Sequence, residues 1–309
     1  MGQGYGFGKV ILFGEHFVVH GVPSIASAIS SKTTAIVEKK GGTGIEVVDE
    51  RPEIPGYKKE KLEMQEDSDK RILEAVGINT DETGVKITLG GDLMAASGVG
   101  ASAASCAAIA RALSEEFSLG FDDEKINQIA YEGEKGYHGS PSGIDNTAAT
   151  FGGLIWFIKG DPNIIEKMKI EKPLYIVMGN TGIVANTKAA VEGVKERKEK
   201  EPDKYNKIFE DAKNLIHDAR KALEAGDVEK VGKLMDENHR LLQEIEVSSP
   251  ELDMLVSLAK ENGALGAKMT GGGLGGYMYA LAPDQDIQER IAKVMGDKQF
   301  QVIKATVGG

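Results

Sequence analysis

Cysteine is nearly absent from this chain of 309 residues, and long hydrophobic runs are absent altogether. The single cysteine, Cys106, has no partner for an intrachain disulfide, which excludes a secreted domain held together by disulfides. No run of about 18 apolar residues predicts a membrane-spanning helix, and the first residues lack the charged and apolar regions of a signal peptide. We therefore expect a soluble, cytoplasmic protein with no membrane association.

Positive charge is also in short supply. Lysine and arginine total 37 against 48 aspartates and glutamates, so the formal net charge is −11. Such a charge repels polyanions, and nucleic acid is not an expected partner. A phosphorylated ligand would need a local site made of backbone N–H groups, a lysine or a metal ion. With 41% hydrophobic and 28% charged residues, the chain can bury a sizeable core.

Glycine is the residue in excess, with 39 copies, and three motifs concentrate it. They are GKVILFGEHFVVHG at residues 8–21, ASGVGASAA at residues 96–104, and KMTGGGLGG at residues 268–276. Strand and helix patterns mix around these motifs, which predicts an α+β fold. The run of small and apolar residues at 101–117 predicts a buried helix, and QVIKATV at residues 301–307 predicts a final strand. Beyond Asp161 charged helical patterns dominate, so two domains are expected, residues 1–165 and a helix-rich part at residues 166–309.

Three local patterns carry weaker expectations. The charged, proline-containing segment at residues 50–70 is typical of a surface excursion, and a helical pattern follows it at residues 71–76. The β-branched and aromatic residues 17–19 favour a strand, so the spacing of His16 and His20 does not suit a zinc site on a helix. His217 and His239 lie in charged helical patterns, and we expect them to face solvent with no functional role.

Two glycine motifs match a dinucleotide-binding pattern without its context. G-x-G-x-x-A begins at Gly98 and G-x-G-x-x-G begins at Gly271, but neither has all three of the features that the fingerprint requires, a strand before it, a helix after it and an acidic residue further on. A Walker A loop is absent as well. The residues around Gly98 still open a helix, and backbone N–H groups at a helix start can bind polyphosphate. The alternative is a simple turn with serine caps.

The three motifs, in this order, resemble the GHMP kinase family, which is named for kinases of galactose, homoserine, mevalonate and phosphomevalonate. The resemblance covers nearly the whole chain. The first motif in the form GEHFVVHG and the loop HGSPSGIDN at residues 138–146 are most similar to the members that act on mevalonate. The family's fold implies an N-terminal domain like ribosomal protein S5 domain 2 and a C-terminal ferredoxin-like α/β domain. Its activity implies ATP-dependent phosphorylation of the primary hydroxyl of mevalonate, with Mg²⁺.

The resemblance also implies roles for individual residues. Asp145 matches the catalytic aspartate, and Lys9 matches its cationic partner. Ser102 and Glu134 match the magnesium ligands, which are hard oxygen donors. Read without the family, Asp145 is as often a turn residue or helix cap, and Glu134 a solvated helix residue. The residues expected to cradle the ATP phosphates are Ser97, Gly98, Val99, Gly100, Ala101, Ser102 and Ala103.

Substrate contacts are expected from Glu15, His16 and His20 in the first motif, because mevalonate offers a carboxylate and a tertiary hydroxyl. The alternative for each histidine is a buried ring bonded to backbone. Expected partners are mevalonate and ATP, and a homodimer is one possible assembly. Two other functions stay open: another GHMP small-molecule kinase acting on phosphomevalonate, homoserine or a sugar, and a GHMP-fold ligand sensor without catalysis.

Overall fold

The structure is a computed structural model that describes residues 1–96, 98–185 and 187–308. The described chain divides into two compact units that do not follow chain order. Unit 1 contains Met1–Lys9 and Ala28–Gly152, and unit 2 contains Val10–Ser27 together with the chain from Gly153 onward. The domain boundary at residue 165 stays a prediction, because each of these compact units contains two separate stretches of the chain and they do not correspond to one boundary.

Unit 1 contains a small sheet and four helices. The strands are β1 (Gly2–Phe13), β2 (Ser24–Lys40), β3 (Ile45–Asp49) and β4 (Gly84–Gly91). Strand β2 pairs antiparallel with β4, from Thr33 opposite Gly91 to Lys40 opposite Gly84, and β3 runs parallel to β4 on the other edge of β4. Strand β1 also pairs with β2, and both strands extend into unit 2. The helices are α1 (Tyr57–Val76), α2 (Ala101–Glu116), α3 (Asp123–His138) and α4 (Ile144–Phe151).

Alternating glycines in β1 determine where helix α2 lies. A Cβ atom added at Gly2, Gly4 or Gly6 would collide with the backbone of α2, at Ala112, Ala108 and Ala104 respectively. Every second residue of the strand therefore meets every fourth residue of the helix. Because neither partner carries a bulky side chain at this contact, the helix backbone rests directly on the strand. The small, buried residues of α2 were correctly predicted to form a buried helix.

Helix α1 corrects one sequence expectation. Most of the segment at residues 50–70 is helical from Tyr57 onward, whereas the sequence suggested a surface excursion. Before Ile72, the buried face of this helix carries polar side chains, including Gln65, Ser68 and Asp69. A hydrophobic pattern at helical spacing is therefore missing until Ile72, which is why the sequence indicated a helix only at residues 71–76.

Unit 2 contains the strands β5 (Leu154–Ile158), β6 (Ile164–Met168), β7 (Leu174–Asn180), β8 (Gly266–Met269), β9 (Tyr277–Ala282) and β10 (Gln301–Val307). Four of them form an antiparallel sheet in the order β10-β7-β9-β8. In a second group of strands, Ser24–Ser27 of β2 pair with β5, and β5 pairs with β6. The helices are α5 (Thr187–Lys200), α6 (Pro202–Glu224), α7 (Val228–Glu244), α8 (Pro250–Glu261) and α9 (Gln285–Asp297).

The predicted α+β class is confirmed, as is the concentration of amphipathic helices in the second half of the chain. Helix α6 buries one side at residues spaced by three and four, including Tyr205, Ile208, Phe209 and Ala212. Across the residues that the structure describes, none of the helices combines the length and apolarity needed to cross a bilayer.

Candidate active site

The loop around Gly98 and Gly100, which the sequence predicts to bind phosphate and which we call the phosphate loop, ends at the start of helix α2. Gly98 and Gly100 both have positive φ angles, 97° and 69°, which side chains other than glycine rarely adopt. Gly100 is the N-cap and offers no side chain to bond the first N–H groups of the helix. These N–H groups have no partner within a helix, so they can bind an anion. Ser97, which the sequence also assigned to this loop, lies outside the described residues.

Lys9 is fastened to the phosphate loop. Its backbone N–H donates to the carbonyl of Val99 at 2.9 Å. A Cβ added at Gly100 would lie 2.6 Å from Cγ of Lys9, so the lysine stem occupies the space that a side chain at position 100 would need. The loop and the lysine therefore hold each other in place.

Lys9 and Asp145 form an ion pair, as expected from the sequence. Nζ of Lys9 lies 3.1 Å from Oδ1 of Asp145, and the two side chains are 3% and 27% exposed. Asp145 lies in the first turn of α4, where a carboxylate interacts favourably with the helix dipole, and Gly143 is the left-handed N-cap before it. The sequence had placed Asp145 in a loop. The short helix gives the carboxylate a defined direction while leaving part of it accessible.

Glu134 is buried on helix α3. Its Oε1 atom has no hydrogen-bond partner, and His138 lies 3.9 Å from Oε2. Burial raises the pKa of Glu134, while His138, the Ser102 hydroxyl and Lys9 act to lower it. The residues that the structure brings together in unit 1 are therefore Lys9, Ser102, Glu134 and Asp145.

A divalent cation suits this group. Ser102 and Glu134 supply a hydroxyl and a carboxylate oxygen, and Mg²⁺ commonly takes only one or two protein ligands beside phosphate oxygens and water. The unsatisfied Oε1 of Glu134 is an oxygen that such an ion would bind. No group of three or more histidine, cysteine, aspartate or glutamate side chains suited to a metal occurs within the described ranges. The donors therefore fit magnesium shared with phosphate rather than a closed metal site.

The first motif forms a tight turn in unit 2. Strand β1 ends at Phe13, Gly14 has a φ angle of 99°, and His16 has a φ angle of 60°. A 3-10 turn at Phe17–His20 follows, so the strand expected at residues 17–19 is wrong. The apolar side chains of Phe17 and Val18 are buried in either case, and burial alone does not distinguish a short strand from a turn.

Glu15 forms a buried ion pair with Lys268. Both side chains are fully buried, and Nζ of Lys268 donates to Oε1 of Glu15 and to the carbonyl of Met269. Burial lowers the pKa of Lys268, and the charge of Glu15 opposes that shift. The sequence marked the KMTGGGLGG motif but not the pairing, since residues 253 positions apart give no local signal. Lys268 thus fixes a side chain expected to contact substrate.

His16 is a buried, neutral imidazole. Nε2 lies 3.1 Å from the carbonyl of Gly272, and burial lowers the pKa of His16 to about 4. A neutral ring bonded this way donates from Nε2, which leaves Nδ1 as an acceptor, and Nδ1 is buried without a partner. His20 packs against Phe209 with ring centroids 4.9 Å apart, and its Nε2 also lacks a partner. Burial, Lys198 and Lys159 lower the pKa of His20.

His239 corrects another expectation, since it is buried rather than exposed to solvent. Nε2 lies 3.0 Å from Oδ1 of Asp253, and Nδ1 accepts the backbone N–H of Met269 at 3.4 Å. The ring therefore anchors the end of β8, where the third glycine motif begins. The charged helical pattern concealed this role because the nearby charged residues Glu237 and Arg240 are exposed. His217 is exposed, as expected, and its ring packs against that of Trp156, with centroids 5.1 Å apart and planes tilted by 48°.

Comparison with known proteins gives the family. The model described as GHMP kinases N terminal domain matches residues 69–153, and the model described as GHMP kinases C terminal matches residues 219–301. A mevalonate kinase of Thermococcus sibiricus is 34% identical over 93% of this chain and 91% of its own. The chain belongs to the GHMP kinase family.

Other members of the family support the same assignment. A mevalonate kinase of Aeropyrum pernix is 30% identical and covers 97% of this chain and 94% of its own. The solved structure of L. major mevalonate kinase in complex with R-mevalonate has a TM-score of 0.93 and 39% identity, over 99% of this chain and 96% of that one. The GHMP kinase fold predicted from the three motifs is therefore confirmed.

Proposed function

We propose that the chain is a mevalonate kinase that transfers the γ-phosphoryl group of ATP to the primary hydroxyl of mevalonate, giving 5-phosphomevalonate and ADP. The observation that carries this proposal is the Lys9–Asp145 ion pair beside the phosphate loop. The mevalonate kinases to which the chain is similar support the choice of acceptor.

Phosphoryl transfer depends mainly on positioning and charge neutralisation, because the protein forms no covalent bond to the phosphorus in such a reaction. The N–H groups at residues 98–103 bind the phosphates of ATP. Ser102 and Glu134 hold Mg²⁺, which when bound neutralises phosphate charge. Unit 1 thus supplies the nucleotide part of the reaction.

Asp145 accepts or orients the proton of the attacking hydroxyl. Its partly exposed carboxylate leaves an oxygen for that proton, and the nearly buried Lys9 holds the carboxylate in place. Lys9 also offsets negative charge that develops on the transferring group. Glu15, His16 and His20 contact mevalonate, and the free Nδ1 of His16 is suited to accept a hydrogen bond from a substrate hydroxyl.

The experiment that tests this assignment compares Asp145→Asn with wild type. We expect kcat to fall by about two to four orders of magnitude, the usual scale for a lost general base, while Mg·ADP binding is kept. Lys9→Met should be similarly severe because it leaves the Asp145 carboxylate without its cation. Asp286→Asn is the matched control, since Asp286 is an exposed aspartate in the first turn of α9.

An Asp145→Asn variant with more than about half of the wild-type kcat would contradict a direct role for Asp145. The alternative of a ligand sensor predicts mevalonate binding without ADP release in wild type, and the intact Lys9–Asp145 pair argues against it. The homodimer and the cytoplasmic location stay predictions.

A further inference from the structure

The end of strand β3 and the segment after it are joined by hydrogen bonds from Arg51 and Lys58. Nζ of Lys58 donates to the carbonyls of Asp49 and Arg51, at 2.8 and 2.6 Å. The carboxylate of Asp49 accepts from Nε and Nη2 of Arg51, at 2.9 and 2.6 Å, which is a bidentate ion pair. None of these three residues has a role in the proposed chemistry.

Arg51 reaches from this segment to the first turn of helix α2. Its Nη1 donates to the carbonyl of Ala101 at 3.3 Å and to Oγ of Ser105. Oγ of Ser105 in turn donates to the same Ala101 carbonyl at 2.9 Å. Arg51 is buried, and it lines one small cavity together with Ala101 and Ser102. The guanidinium therefore lies directly under the residues proposed to bind phosphate and magnesium.

The same segment is also bonded to the chain that enters the phosphate loop. The N–H of Ala95 donates to the carbonyl of Pro52 at 2.7 Å, and the N–H of Ile54 donates to the carbonyl of Ala95 at 3.2 Å. Both the approach to the loop and its exit into α2 are thus fastened to residues 51–54.

The charge of Arg51 lies near the N-terminus of helix α2, where it affects anion binding. The N-terminus of a helix carries partial positive charge, so a buried guanidinium there is unfavourable unless an anion compensates it. Burial opposes ionisation of Asp49, but hydrogen bonds and charge from Arg51 and the charge of Lys58 leave its pKa lowered, so the carboxylate supplies part of that compensation. A bound polyphosphate would supply more.

We propose that Arg51 is a positioning residue for nucleotide binding. It holds the first turn of α2 so that the N–H groups of the loop and the Ser102 hydroxyl face the phosphates, and it adds positive potential there. This inference rests on the proposed function, because it assumes that the loop binds a nucleoside triphosphate.

The test compares Arg51→Met with wild type for nucleotide binding, turnover and stability. We expect the Kd of Mg·ADP by calorimetry and the KM for ATP to rise about tenfold or more, the usual scale for losing hydrogen bonds from a charged group. The KM for mevalonate should stay within about twofold of wild type, and Arg51→Lys should recover part of the nucleotide affinity because the charge remains. Arg71→Met is the matched control, since Arg71 forms an exposed ion pair with Asp67 on α1.

Ser105→Ala keeps the proposal testable if Arg51→Met does not fold. It removes one acceptor of Arg51 and leaves the pair with Asp49 intact, and we expect a rise of about two- to fivefold in the KM for ATP at an unchanged Tm. A Kd for Mg·ADP within about twofold of wild type in the Arg51 variant, or an unchanged Kd in Ser105→Ala if that is the one that folds, would overturn the proposal. Equal rises in both KM values that follow a lowered Tm would overturn it too, since that pattern indicates only a fold-stabilising ion pair. Because Mg·ADP binding needs no acceptor, this result stands even if wild type fails to phosphorylate mevalonate.

Discussion

Glu134 is a buried carboxylate with one oxygen, Oε1, that no other group among the described residues hydrogen-bonds. The side chain is buried, Oε1 has no hydrogen-bond partner, and burial raises the pKa above the ordinary value of 4.5. A carboxyl group of this kind favours the folded state when protonated, and that contribution is lost as the pH rises from 4.5 through the raised pKa. The arrangement is costly near neutral pH unless a cation binds.

Glu134→Gln should therefore separate stability from function. We expect the variant to need more magnesium for half-maximal activity, because a neutral amide replaces a charged ligand. Without magnesium it should melt at a higher temperature than wild type near neutral pH, because the amide carries no ionisation cost. Magnesium titration of kcat at saturating ATP, and melting temperature against pH in a chelator, measure both effects.

Glu132→Gln on the same helix is the control, since Glu132 forms a partly exposed pair with Lys135 and should change neither quantity. An unchanged magnesium requirement in Glu134→Gln would show that Glu134 does not bind the metal.

The turn after β1 is the element that carries the proposed acceptor contacts. His16 joins the 3-10 turn at Phe17–His20 to the third glycine motif through Gly272. We expect His16→Ala to raise the KM for mevalonate and to leave the KM for ATP near wild type, because the variant loses a free acceptor, Nδ1, that the proposal assigns to substrate. Steady-state kinetics with each substrate varied in turn tests this, with the exposed His217→Ala as control.

The alternative for His16 is that its ring bonds only to the backbone, and the melting temperature of His16→Ala tests it. The pKa of about 4 means that the contribution of the neutral ring to stability is lost as the pH falls from 6.5 through 4, and His16→Ala should lack that loss. A lowered melting temperature with both KM values unchanged would mean that the ring serves only its backbone partner.

Local sequence signals predicted those elements whose cause is local. The buried helix at Ala101, the strand at Gln301–Val307 and the glycine turns follow from residue type and period. Only the end of helix α1, at residues 71–76, was predicted, because the buried face before it carries polar side chains that bond or pack only in the folded chain. The turn at Phe17–His20 was taken for a strand because its φ angles depend on the tertiary setting, including the bond from His16 to Gly272.

The candidate site divides in the same way. Lys9, Ser102, Glu134 and Asp145 were expected from motifs, and the structure brings them together in unit 1. Lys268 as the partner of Glu15, and Arg51 as the support of α2, depend on contacts between distant parts of the chain. No spacing or composition rule reports such contacts.

At the scale of the whole molecule, family membership does not by itself select the acceptor, because the family includes kinases of several small alcohols. The choice of mevalonate combines the first motif, the loop before Asp145 and similarity to mevalonate kinases. An experiment must therefore measure whether the protein phosphorylates any acceptor, and which acceptor it prefers.

Coupled ADP release with mevalonate, phosphomevalonate, homoserine and galactose, followed by ³¹P NMR of the product, tests the central claim most directly. We expect kcat/KM for mevalonate to exceed that of each other acceptor by at least about 100-fold, since the polar groups of the pocket are matched to one substrate. The product should be a monoester at the primary hydroxyl, with one ADP released per ester formed. Turnover of another acceptor in preference to mevalonate, or mevalonate binding with no ADP release above background, would contradict the account.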